Sequence, residues 1–164
     1  MATVDLTPRA RGAYSHGNRG VYYVQNTIDF AVAATAKGSA LAAADVLEAL
    51  DVPAGTMILN AGIQVMTVST GESADVTLDL GVTGVEVDNF VDGFDLDAAA
   101  ALAYAQNAAA FQPLVLGSAD TIDVLIATAT TAPTGGKIRV WAALMNVADT
   151  GDKFGGSTDR NTLG

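Results

Sequence analysis

The residues able to carry chemistry are few, and their spacing does not suit them to it. His16 is the single histidine, set between Ser15 and Gly17. With no second histidine near it in sequence, it does not mark a metal site, and no acid or nucleophile spacing marks a triad around it. The absence of cysteine removes thiolate metal sites, a cysteine nucleophile and a disulfide framework together. Neither G-x-x-x-x-G-K-[ST] nor G-x-G-x-x-G is present to cradle phosphate. Carboxylates are abundant and glycosidases use a pair of them, but nothing in the spacing singles out one pair. The densest group lies in residues 86–97, with Glu86, Asp88, Asp92, Asp95 and Asp97 around Asn89. These side chains could offer oxygens to Ca²⁺, yet their spacing departs from the loop in which ligands alternate before a glycine and a closing Glu. The expectation is a non-enzymatic chain with no cofactor and no metal.

The elements that would position any site are read from turn signals and two-residue alternation. The chain is organised around residues 44–69, where Val, Ile, Met and Thr dominate on both sides of Pro53-Ala54-Gly55. This predicts a strand carrying Val46 and Leu50, then a long strand with Leu59, Ala61, Ile63 and Val65 on one face. Residues 21–35 alternate Tyr22, Val24, Ile28, Phe30 and Val32 against Tyr23, Gln25, Thr27 and Asp29, which predicts strand throughout. Residues 75–80 alternate Val76, Leu78 and Leu80 against Asp75, Thr77 and Asp79. Pro113 confines a strand over 111–116 to an edge or bulge. In residues 120–130 and 137–147, Ile122, Val124 and Ile126, then Ile138, Val140, Ala142 and Leu144, point inward. With the turn 131–136 between them, these two strands are expected to pair antiparallel. One short helix is expected over 95–110, where alanine dominates and Asp95 or Asp97 can cap the first turn.

At 164 residues one core suffices. The fold class is all-β: an antiparallel, jelly-roll-like β-sandwich of about eight strands with one short Ala-rich helix. It is expected to span residues 21–148, between an N-terminal arm (1–20) and a flexible C-terminal tail (149–164).

Charge is distributed unevenly. Arg9, Arg11, Arg19 and Lys37 lie before residue 38, and Lys137, Arg139, Lys153 and Arg160 after residue 136. Between those limits there is no Lys or Arg and there are thirteen Asp and Glu. The net charge of −10 argues against a nucleic-acid partner, since phosphate neutralisation needs clustered cations. No run of about 18 apolar residues predicts a membrane span, and residues 1–20 lack the apolar core of a signal peptide, so a soluble, cytoplasmically made chain is expected. A basic arm on an acidic body suits gripping an acidic neighbour or an adjacent copy. Trp141 stands opposite Val140, beside Arg139, Ala143 and Met145. It either packs in a second layer or, with Arg139, anchors an oligomer interface.

Four motifs carry a resemblance across residues 44–145: the D-V-P-A-G-T turn at 51–56, Thr70-Gly71 closing a long strand, the acidic segment 89–95 followed by alanines, and G-K-I-R-V at 136–140. In these the chain resembles the small head decoration, or cement, proteins (auxiliary capsid proteins) of tailed bacteriophages. That resemblance implies a virion protein, made in the host cytoplasm, that binds the outer surface of the head as a trimer and clamps neighbouring major capsid protein subunits. Residues Arg9, Arg11 and Arg19 would then form a capsid-binding arm. The alternative is a tail or head-fibre module contacting a host glycan through calcium at residues 86–97.

Overall fold

The computed structural model describes residues 3–5, 20–71, 76–106, 108–109 and 111–147. The arm residues Arg9, Arg11, His16 and Arg19 and the tail 149–164 lie outside the described residues, as do Glu72 and Ser73 of the turn after Thr70.

Among the described residues, ten strands and one helix follow in order: β1 (Thr3–Asp5), β2 (Tyr22–Asp29), α1 (Phe30–Lys37), β3 (Val46–Val52), β4 (Thr56–Thr70), β5 (Val76–Val82), β6 (Glu86–Asp95), β7 (Tyr104–Gln106), β8 (Leu114–Leu116), β9 (Asp120–Ala129) and β10 (Gly135–Asn146). Antiparallel pairing joins β2 to β10, β3 to β9, β4 to β7 and β8, and β5 to β6. The chain is therefore one long ribbon doubled back at the β5–β6 turn. Two further pairings, β10 with β4 and β9 with β5, roll that ribbon so that successive pairs fall in opposite sheets. One sheet reads β2-β10-β4-β7 with β8 beside β4; the other reads β3-β9-β5-β6, with β1 added parallel along β3. With β7 and β8 sharing one place and β1 as an addition, this is the eight-position jelly roll.

The rolled ribbon corrects one expectation. The strands β9 and β10, adjacent in sequence, do not pair; they lie in different sheets. In a rolled ribbon only the strands at the fold-back, β5 and β6, are neighbours in both sequence and sheet. The 131–136 turn instead crosses between layers, held where Thr134 N donates to Thr70 O (2.8 Å). The same logic makes Pro53-Ala54-Gly55 a crossover from β3 to β4, with Gly55 at a φ of 72°.

The inner faces follow the alternation. Ile28, Leu78, Leu80, Ile122, Val124, Ile126, Ile138, Val140 and Leu144 are all buried, and such side chains stabilise the fold by roughly 1.5–3 kcal/mol each. A bulge alters the phase on β4. Ala143 pairs with Asn60 but Leu144 with Ile58, so Leu59 is the extra residue, and Ile58 is fully buried in its place.

The helix is not where alanine content pointed. The described residues within 95–109 hold the end of β6, turns and β7; Leu102 takes a φ of 68° and β7 pairs with β4. A run of small side chains buries too little apolar surface to hold a helix against a sheet, whereas extended backbone completes the edge of β4. The actual helix, α1, interrupts the expected strand 21–35. Asp29 accepts hydrogen bonds from Ala31 N (3.0 Å) and Val32 N (3.4 Å), capping the first turn. Gly38 closes it in the left-handed region at a φ of 78°. Val32, expected inward, is exposed on this helix. Lys37 then pairs with the buried Asp45, whose Oδ2 also accepts from Ala42 N (2.8 Å), tying the helix end to the start of β3.

Candidate assembly surface

Pairing register determines which side chains share the outer face of the β2-β10-β4-β7 sheet. Trp141 lies between Gln25 on β2 and Gly62 on β4, with Gln106 beyond; Arg139 lies between Thr27 and Gln64, with Tyr104 beyond. Because β10 alternates, the same strand that buries Ile138, Val140 and Ala142 must present Arg139 and Trp141 outward. Together with Tyr23, Val24, Gln25 and Gln64 they line an open groove of about 600 Å³.

Glycine at position 62 makes room for the tryptophan. A Cβ there would stand 2.8 Å from Trp141 Cζ2, 2.9 Å from Cε2 and 2.8 Å from Ala105 O. The indole rests in the space a side chain would fill, half-buried, with the rest of the ring at the groove. Tyr23, 75 % exposed, and Tyr104, 54 % exposed, flank this face. Arg139 Nη1 has only a long contact to Gln64 Oε1 (3.5 Å). The other two cations among the described residues are committed: Lys37 to Asp45, and Lys137 to Asp29 (3.1 Å). Lys137 holds the Asp29 carboxyl below the usual range, helped by the helix N–H groups and opposed by desolvation. Asn60, two residues from Gly62 on the same strand, has a buried Oδ1 with no hydrogen-bond partner among the described residues.

The other sheet is electrostatically opposite. Strands β3, β5, β6 and β9 carry nine carboxylates and no Lys or Arg, whereas the strands of the groove sheet carry Lys137, Arg139 and the single carboxylate Asp29. Partial burial pushes the Asp79 carboxyl up, and the Asp92 and Asp88 charges add to it, against the bond from Gly93 N. Burial likewise raises Asp123, although Thr121 Oγ1 (2.6 Å) and Thr83 N (3.2 Å) donate to it.

Three members of the acidic segment 86–97 hold local backbone. Asn89 is spent on Gln112, donating to its carbonyl (2.9 Å) and accepting from its N–H (3.2 Å). Asp95 accepts from Ala98 N and Asp97 from Val76 N, both at 3.0 Å. Among the described residues, no three His, Cys, Asp or Glu side chains gather to hold a metal ion.

Of the residues singled out in the sequence, Trp141 and Arg139 are brought together on one outer face. Tyr23, Gln25, Gly62 and Gln64 were missed as its members. Tyr23 and Gln25 could have been found from their outward phase on β2, but Gly62 and Gln64 join only through the β10–β4 pairing, which no local signal announces.

No protein-family model matches this chain, and no curated protein sequence does. Solved structures with the same fold do exist. A chain of the capsid of Ralstonia phage GP4 superposes with a TM-score of 0.62 at 18 % identity, covering 90 % of this chain and 100 % of that one. A chain of the cyanophage Pam1 capsid asymmetric unit gives a TM-score of 0.58 at 16 % identity, covering 82 % and 91 %. At such identities the likeness establishes a shared fold.

Proposed function

We propose that this protein is a non-enzymatic structural component of a phage virion. More finely, it is a decoration or cement protein that binds the outer surface of the head and stabilises contacts between major capsid protein subunits, as a trimer. The observation that carries this is the fold-level match, over nine-tenths of the chain, to the whole of a chain in one phage capsid, with a second capsid chain close behind. The motif resemblance over residues 44–145 points the same way.

The physical design suits the task. A rolled sandwich is a rigid body whose core is complete without a partner, so its folding does not draw on binding energy. A basic arm carrying Arg9, Arg11 and Arg19 can lie on capsid subunits and bring cations that the nine-carboxylate sheet lacks. The test is the triple variant Arg9→Ala, Arg11→Ala and Arg19→Ala, which keeps β1 paired on β3, read by co-sedimentation with expanded capsids that lack the protein. Loss of capsid binding with the body still folded and oligomeric supports the arm's role; undiminished occupancy refutes it.

A further inference from the structure

We infer that the outer face of the β2-β10-β4-β7 sheet, centred on Arg139 and Trp141, is the face that docks on the shell, and that it meets a carboxylate-bearing protein surface there. This rests on the capsid-attachment reading and names the body surface that the arm supplements. Three independent features select this face. First, charge: nine carboxylates without a cation on the strands of the opposite sheet would repel an acidic surface, whereas the groove sheet has one carboxylate, already paired with Lys137. Second, Arg139 is the cation among the described residues that makes no ion pair, and its planar fork matches a carboxylate presented from outside. Third, composition: Trp141, Tyr23 and Arg139 are the residue types that dominate binding energy at protein interfaces, and they converge on one groove.

A second copy of this chain would also offer carboxylates, through its acidic sheet. The two faces lie on opposite sides of the sandwich, however, so that contact would repeat as an open stack rather than close. The shell is therefore the occupant the geometry favours.

The test is co-sedimentation of the full chain and its variants with expanded capsids lacking it, at low and moderate salt. Arg139→Glu and Tyr23→Ala should each weaken binding at least tenfold. Tyr23 is mostly exposed, so its loss leaves folding intact, and unchanged melting temperatures would verify this for both variants. Asp88→Asn and Asp92→Asn on the acidic sheet should stay within twofold of the wild type. If the wild type binds and both groove variants bind equally well, the docking face is wrong while the capsid reading stands. Loss of binding in the acidic-sheet variants instead, or a changed oligomeric state in Arg139→Glu, would likewise overturn it, the latter assigning the groove to contacts between copies. Failure of the wild type itself to bind would refute the capsid reading and this inference with it.

Discussion

Replacing Gly62 by alanine should destabilise the protein and move its only tryptophan. The added Cβ would sit 2.8 Å from Ala105 O, a backbone atom of the paired strand β7, and 2.8 and 2.9 Å from two indole atoms of Trp141. Ordinary contact begins near 3.4 Å, so the strand and the ring must each retreat by about 0.6 Å. The ring can tilt toward the groove; the β7 backbone cannot move without straining its ladder to β4. Overpacking of this kind costs about 1–3 kcal/mol. Removing the flexibility of glycine in the unfolded chain returns about 0.4–1 kcal/mol. A net loss of about 1–2 kcal/mol lowers Tm by roughly 2–8 °C for a chain of this size. Because Trp141 is the single tryptophan, native-state emission reads the ring's displacement directly and should shift to the red. Gly117→Ala is the matched control, since a Cβ there meets nothing within 4 Å, and it should be neutral or slightly stabilising. Equal melting temperatures for the two variants, with unchanged emission, would refute the packing argument.

Three further outcomes follow from the same structure. Lys37→Met leaves the buried Asp45 without its cation and should lower stability by about 3 kcal/mol in urea denaturation, since breaking a buried pair strands the other charge. Asp79 has a raised folded pKa, chiefly from desolvation. The folded state therefore holds its proton to higher pH, and stability falls as pH rises from the ordinary carboxylate value through the raised one. Asp79→Asn keeps an acceptor for Gly93 N, so it should be more stable than wild type at neutral pH, with the gap closing as the medium is acidified through that window; a gap independent of pH contradicts this. Asp29→Ala removes both the helix cap and the partner of Lys137, and should cost about 1 kcal/mol in thermal unfolding.

What the sequence made legible was the faces of strands, not their partners. Ile122, Val124 and Ile126, and Ile138, Val140 and Leu144, announce their burial through local alternation. The separation of β9 from β10 leaves no such trace, because pairing in a rolled ribbon joins segments far apart in the chain. The helix was misplaced for a related reason. Alanine content at 98–110 favours a helix in isolation, but β4 offers a paired edge there, whereas the cap at Asp29 and the stop at Gly38 define a helix inside a run that also reads as alternating strand. The phase slip at Leu59 arises from a bulge, which a strict two-residue period cannot represent. Of the candidate surface, Trp141 and Arg139 were visible as outward neighbours on one strand. Gly62 and Gln64 became members only through cross-strand register, and the contrast between an acidic sheet and its cation-bearing opposite exists only once the strands are sorted into sheets.

The proposed cement role can be decided by adding the purified protein to expanded capsids that lack it and heating loaded and bare shells side by side. Saturable co-sedimentation with a higher rupture temperature for the loaded shells is the predicted result. Absence of binding, or binding that leaves the rupture temperature where it was, would contradict it.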